Sequence, residues 1–257
     1  MRKTILACAL VALVVGATSA AAASLELSGS GARGDRGGKG DAGSKLSSGN
    51  WGVINRNTIG SPVVELRSGP FDAPLGDGSL NIAVATYGAS QEKAAYGNEV
   101  DFANEPLDLT EVGFHVYTTG ENNAASPAGS NNMPSITFEI DPNIAAKPAT
   151  NYSSLVYMPD ETASNAWSGY IDATETGMWG LTGGVFNTDP SDREAFCGIN
   201  GSRCTFDEVM ALLGDATILT VGVSKGRDYE FHGAVDGLRI NNTVFDFEET
   251  GVIERTP

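Results

Sequence analysis

The chain has few histidines, cysteines and basic residues, and these shortages narrow the activities open to it. It holds 2 histidines and 3 cysteines in 257 residues, and His-x-x-x-His pairs, P-loops and dinucleotide-binding fingerprints are absent. Lysine and arginine number 16 against 32 acidic residues, which gives a net charge of −16. Because so acidic a surface repels nucleic-acid phosphates and anionic lipid headgroups, we expect no nucleic-acid partner.

A catalytic serine is not indicated either. The chain has no Gly-x-Ser-x-Gly elbow, and only His115 and His232 are available as a base. His115 stands between Phe114 and Val116 in an alternating segment, and His232 stands at the start of another strand. We therefore expect both histidines to lie on polar strand faces.

Long apolar runs are missing beyond the N-terminus. Arg2 and Lys3 precede an apolar run over residues 5–15, and small residues around Ala21 and Ala23 suit cleavage before Ser24. The run has about half of the ~20 residues that a membrane span needs. Residues 1–23 therefore predict a signal peptide, a secreted extracellular protein and no membrane insertion.

The number of cysteines is consistent with the predicted export. Cys8 leaves with the signal peptide, so Cys197 and Cys204 remain as a pair. In an oxidising compartment such a pair predicts a disulfide that closes a short surface loop.

Residues 24–50 form a Gly-rich segment in which glycine recurs at every third position from Gly31 to Gly43. The segment contains no proline and only a few triplets, which does not support a collagen helix. It predicts a flexible linker.

From Trp51 onward, short apolar runs of period two alternate with turn residues, which indicates half-buried antiparallel strands. A single helix is predicted where Thr205 and Glu208 form a capping box and Gly214 ends the segment. We predict an all-β fold, an antiparallel β-sandwich of the jelly-roll type with one short helix, over residues 51–248, followed by a C-terminal tail over 249–257. The predicted strands are 51–56, 63–67, 79–86, 94–102, 112–118, 135–140, 153–157, 167–172, 216–224, 233–240 and 243–247.

Paired carboxylates offer one catalytic hypothesis. On a strand over 94–102, Glu99 and Asp101 would share a face, where two carboxyl groups can cleave a glycoside. The segment resembles the Glu-x-Asp-x-x-Glu strand of laminarinase-type jelly-roll glucanases, although Glu105 stands one residue later than in that pattern.

Acidic and aromatic residues suggest two kinds of binding. Asp236, Asp246 and Glu248 lie near the C-terminal strands and are candidate ligands for a structural calcium ion. Trp179 is flanked by glycines, which favours an exposed loop position, and with Tyr170 it is a candidate for stacking on sugar rings.

The run over residues 233–248 and the segment over 76–82 resemble parts of secreted bacterial lectin-like and carbohydrate-binding β-sandwich modules. The resemblance implies a non-catalytic protein that binds carbohydrate or a cell-envelope polymer. A glycoside hydrolase using Glu99 and Asp101, and a structural matrix protein tethered by its Gly-rich segment, remain alternatives.

Overall fold

The computed structural model describes residues 45–46, 49–85, 92–119, 132–160, 163–186, 191–227 and 229–256. The chain divides into a unit Met1–Gly40 and a unit Asp41–Pro257, and every described residue belongs to the second. The predicted signal peptide and most of the Gly-rich segment therefore lie outside the described residues.

Two antiparallel sheets account for the described strands. In sheet A the main strand order is β1 (Lys45–Leu46), β15 (Gly251–Arg255), β14 (Thr243–Glu248), β13 (Phe231–Ile240), β4 (Gly78–Val84) and β3 (Val63–Ser68). Strand β6 (Val112–Thr118) pairs with the other edge of β13, and β9 (Ala166–Trp167) and β10 (Ile171–Asp172) pair with β6. In sheet B the order is β11 (Met178–Gly183), β8 (Ser153–Met158), β7 (Ser135–Asp141), β12 (Thr217–Lys225), β5 (Ala94–Asn98) and β2 (Trp51–Val53).

The core lies between the sheets. Leu80 and Ile82 of β4 and Phe138 and Ile140 of β7 are all exposed by 1 % or less. These positions alternate with polar ones along each strand, as the period-two pattern predicts. The predicted antiparallel sandwich is confirmed.

Two short α-helices complete the described structure. The predicted helix is present as α2 (Phe206–Leu212), and its capping box joins the Thr205 side chain to the Glu208 backbone N–H and the Glu208 carboxylate to the Thr205 N–H. A four-residue helix α1 (Asp192–Ala195) was not predicted. Neither has the length and apolar character needed to cross a bilayer, and the same holds throughout the described part of the chain.

Some predicted boundaries are wrong. Strand β5 ends at Asn98 and does not continue to residue 102, and the predicted strand 167–172 is split into β9 and β10. Strand β11 was not predicted. The predicted tail is also wrong in part, because β15 pairs with β14 from Val244 to Glu248 and so belongs to sheet A.

Candidate functional site

The outer face of sheet B carries a cleft of about 900 Å³. Its floor follows from strand alternation: where Phe138 and Ile140 of β7 point into the core, Thr137 and Glu139 point outward into the cleft. The floor extends over five neighbouring strands of the sheet, β5, β12, β7, β8 and β11.

The floor is rich in hydroxyl groups. The Thr137 and Ser224 hydroxyls lie 2.7 Å apart and share a hydrogen bond across β7 and β12. Each hydroxyl can donate and accept, so the surface can pair with polar ligand groups of either kind. The Ser and Thr side chains that line the cleft are Ser135, Thr137, Ser154, Thr182, Thr220 and Ser224.

The predicted disulfide forms one wall. Cys197 and Cys204 are bonded, with their Cα atoms 5.3 Å apart, which confirms the prediction. The loop they close lies along the free edge of β11: the Trp179 N–H donates to the Cys204 carbonyl at 2.8 Å, and the Leu181 N–H donates to the Cys197 carbonyl at 2.7 Å. The loop therefore extends sheet B and adds Ile199, Asn200 and Arg203 to the lining of the cleft.

The opposite wall is built by the segment after β2 together with the residues just before β5 and just after β12. Ile59 and Lys93 form a backbone bridge with N–H to carbonyl distances of 3.0 Å in both directions. The Lys93 ammonium lies 3.5 Å from the Asn57 side-chain oxygen, and Arg227 lines the same end of the cleft. This wall therefore presents two cationic side chains.

Glu139 is the buried acid of the cleft, exposed by only 1 %. It accepts hydrogen bonds from Arg56 and Asn57, and from the Tyr152 hydroxyl at 2.7 Å. Burial by itself would raise the pKa of Glu139, but hydrogen bonds from Tyr152 and Thr220 and the Arg56 charge together hold it below its ordinary value. Glu139 is therefore ionised and fully engaged by protein groups, and no sequence motif pointed to it.

The structure separates the two carboxylates of the catalytic hypothesis. The Asn98 side-chain oxygen accepts the Val100 and Asp101 N–H groups, which ends β5 in a turn. Asp101 accepts the Asn98 side-chain amide at 2.6 Å, whereas Glu99 forms an ion pair with Arg56. The prediction that Glu99 and Asp101 share a strand face is wrong.

The two predicted aromatic ligand residues occupy different environments. Trp179 lies within β11 with 0 % exposure, and its indole N–H donates to the Ala173 carbonyl at 2.8 Å. Its predicted exposure is wrong, because its ring packs in the core and is not available to a ligand. Tyr170 is 40 % exposed, and its ring centroid lies 5.7 Å from that of His115 over sheet A, outside the cleft. Its role in binding stays a prediction.

The predicted calcium ligands come together on the outer face of sheet A, next to the segment 69–77. Asp236 accepts backbone N–H groups of Leu75 at 2.9 Å, Gly237 at 2.7 Å and Phe247 at 3.1 Å. Asp246 accepts the Arg255 guanidinium at 2.7 Å, and Glu248 accepts the Asp77 N–H at 3.0 Å. Gly76, at φ +56°, allows the segment to approach, because a Cβ there would collide with the Glu248 carboxylate.

These carboxylates already accept hydrogen bonds from the protein. No group of three or more His, Cys, Asp or Glu side chains with metal-binding geometry occurs among the residues that the structure describes. Burial raises the pKa of Asp236 to about 7 against the opposing backbone N–H bonds, and the nearby Asp246 charge adds to the rise. Calcium binding by Asp236, Asp246 and Glu248 stays a prediction.

We find no matching family model, no matching curated protein and no matching solved structure for this chain. Function is therefore inferred from the geometry of the cleft.

Proposed function

We propose that this protein is a secreted, non-catalytic binding protein for carbohydrate or a cell-envelope glycan, and that the cleft of sheet B holds the ligand. The observation that carries the proposal is a cleft of about 900 Å³ with a floor of serine and threonine hydroxyls. Small-molecule sites occupy roughly 300–1,000 Å³, so a short stretch of a saccharide chain has room to lie there.

The chemistry of the lining supports a saccharide. Sugar hydroxyls need neighbours that both donate and accept hydrogen bonds, and the floor hydroxyls together with the Asn57 and Asn200 amides supply both. Apolar side chains at the same surface, among them Val156 and Met158, offer contact to the C–H faces of sugar rings. The bonded cysteine pair and the predicted signal peptide support an extracellular site of action.

Binding is favoured over glycoside hydrolysis by the state of the acids. A glycosidase needs two carboxyl groups across the scissile bond, one of them protonated to act as the acid. The pKa of Glu139 lies below its ordinary value, and Glu139 is bonded to Arg56, Asn57 and Tyr152. Glu99 is paired with Arg56, and Asp101 caps a turn.

Blocking the cleft tests the proposal. Val156 lines its floor on β8, so Val156→Trp fills the space that a ligand would occupy. Val63 is 43 % exposed on β3 of the other sheet, and Val63→Trp is the matched control. We expect wild type and Val63→Trp to be retained in affinity electrophoresis through soluble polysaccharides, and Val156→Trp to bind at least about tenfold more weakly.

Two results would contradict the proposal. One is a wild-type protein that no polysaccharide of a broad panel retards. The other is equal retardation of Val156→Trp and wild type, which would place the binding surface elsewhere.

A further inference from the structure

The charge of the cleft differs from that of the chain. The chain has a net charge of −16. The lining of the cleft, by contrast, contains three cationic side chains, Lys93, Arg203 and Arg227, against two acidic ones, Glu139 and Asp160. Basic residues are therefore concentrated at this surface of an acidic protein.

The acid on the floor forms its ion pair with Arg56 and not with the cations on the walls. Glu139 is paired with Arg56, whose other guanidinium nitrogen is paired with Glu99. Within the described part of the chain, no carboxylate lies at ion-pair distance from Lys93, Arg203 or Arg227. These three charges are available to a ligand.

The cations stand on both sides of the cleft. Lys93 and Arg227 lie at one wall. Burial is the main cause that lowers the pKa of Lys93, and the Glu139 charge opposes it. The Arg227 charge lowers this pKa further, which shows that the two cations lie close together. Arg203 belongs to the disulfide-closed loop at the other wall, where its Nε donates to the Ile199 carbonyl at 3.0 Å. That bond holds the base of the guanidinium in place.

We propose that the ligand of the cleft is an anionic saccharide, whose carboxylate or sulfate groups pair with Lys93 and Arg227 on one wall and with Arg203 on the other. This inference rests on the proposed function and narrows it to one class of glycan. At physiological salt the Debye length is about 8 Å, so the acidic residues elsewhere on the protein are screened while the three cations act at contact.

The first experiment compares each anionic chain with its neutral parent. The probes are galacturonic acid oligomers with their carboxyl-reduced form, and dextran sulfate oligomers with dextran, titrated by calorimetry at two salt concentrations. We expect at least one anionic probe to bind about tenfold or more tightly than its parent, and to weaken as salt rises. The anionic probe that binds distinguishes carboxylate from sulfate.

The outcomes separate the two proposals. Equal or tighter binding of the neutral parents would overturn the anionic inference and leave the proposed function standing. Binding of no saccharide, anionic or neutral, would overturn both.

The second experiment removes the charges singly. Lys93→Gln, Arg203→Gln and Arg227→Gln should each weaken the anionic probe by about fivefold or more. Arg67, exposed on β3 of sheet A, gives the matched control Arg67→Gln, for which we expect less than a twofold change. Arg203→Lys keeps the charge without the Nε bond to Ile199, and it should recover most of the affinity that Arg203→Gln loses. Unchanged binding in all three glutamine variants would overturn the inference.

Discussion

Glu139 and Asp236 are two buried carboxylates on the outer faces of opposite sheets, exposed by 1 % and 0 %. Glu139 meets the Arg56 guanidinium and the Tyr152 hydroxyl, and its pKa lies below the ordinary value. Asp236 meets three backbone N–H groups and has Asp246 as its charged neighbour, and its pKa is raised to about 7. Burial raises the pKa of both acids, and the hydrogen bonds and the Arg56 charge outweigh burial for Glu139, whereas the backbone N–H bonds do not outweigh it for Asp236.

The two faces differ because a chain segment closes the surface around Asp236, whereas the surface around Glu139 stays open beyond the groups that bond this acid. The segment 69–77 lies against the outer face of sheet A, where the Leu75 N–H reaches Asp236 and the Trp167 indole N–H donates to the Pro70 carbonyl at 2.8 Å. Over sheet B, the floor around Glu139 faces a cleft. Outward polar residues become structural under a covering segment and become available for binding where the face stays open.

The largest effect that we expect comes from removing the acceptor on the covered face. Asp236→Ala leaves three backbone N–H groups in a buried place without their acceptor, and we expect the free energy of unfolding to fall by about 3–5 kcal/mol. Urea denaturation followed by tryptophan fluorescence measures this. Asp72→Ala, at an exposed carboxylate of the same segment, is the control and should cost less than about 0.5 kcal/mol. If Asp236→Ala lowered the free energy of unfolding by less than about 1 kcal/mol, the position of the segment 69–77 would not depend on the Asp236 carboxylate.

The second effect is a pH dependence of opposite sign on the two faces. The pKa of Asp236 rises on folding from 3.8 to about 7, so between about pH 4 and 7 the folded protein holds a proton that the unfolded chain has released. The stability from this proton is fully present below pH 4 and is lost as pH rises toward 7, by at most about 1.4 kcal/mol per pH unit. Glu139, with a lowered pKa, stabilises the fold above its ordinary 4.5 and loses that contribution as pH falls.

Urea denaturation at pH 5, 6 and 7 measures the contribution of Asp236. His115, opposite Asp236 in the register of β6 and β13, has a pKa lowered by burial and opposes this trend. The contribution of Asp236 is therefore the difference between wild type and Asp236→Asn, which should decrease from pH 5 to pH 7. An equal difference at all three pH values would show that Asp236 does not titrate in this range. Asp72→Asn should follow wild type throughout.

The smallest effect concerns binding. Tyr170 lies over sheet A, so Tyr170→Ala should change the affinity for a saccharide held in the cleft by less than about twofold. The polysaccharide titration used for Val156→Trp measures it. A tenfold loss of affinity in Tyr170→Ala would instead indicate that the saccharide binds at the aromatic residues predicted from the sequence.

Strands with one buried and one polar face were predictable from alternation. The prediction for 112–118 coincides with β6, where Val112, Phe114 and Val116 face the core. Strand β11 was missed because Trp179, Gly180 and Leu181 are buried in succession under the disulfide-closed loop, so no alternation marks it. The end of β5 was missed because one side-chain hydrogen bond, from Asn98, sets it and periodicity does not.

The cleft was not predictable because its residues have no motif. Thr137 and Ser154 have the same pattern as any solvated strand position, and they become a floor only when β7 and β8 pair. Arg56 and Glu139 are 83 residues apart in the chain, and only the paired strands β5, β12 and β7 bring them into contact. The disulfide could be predicted because the spacing of the two cysteines and the predicted signal peptide are enough to indicate it.

The sequence of the loop between Cys197 and Cys204 can be varied while its two ends stay in place. Its two ends are fixed by the covalent bond and by the backbone hydrogen bonds to β11, while Ile199, Asn200 and Arg203 between them line the cleft. Diversifying Asn200 and Arg203 would therefore change the chemistry of one wall of the cleft with little disturbance of the core. The loop is therefore a site for sequence libraries that is already anchored at both ends.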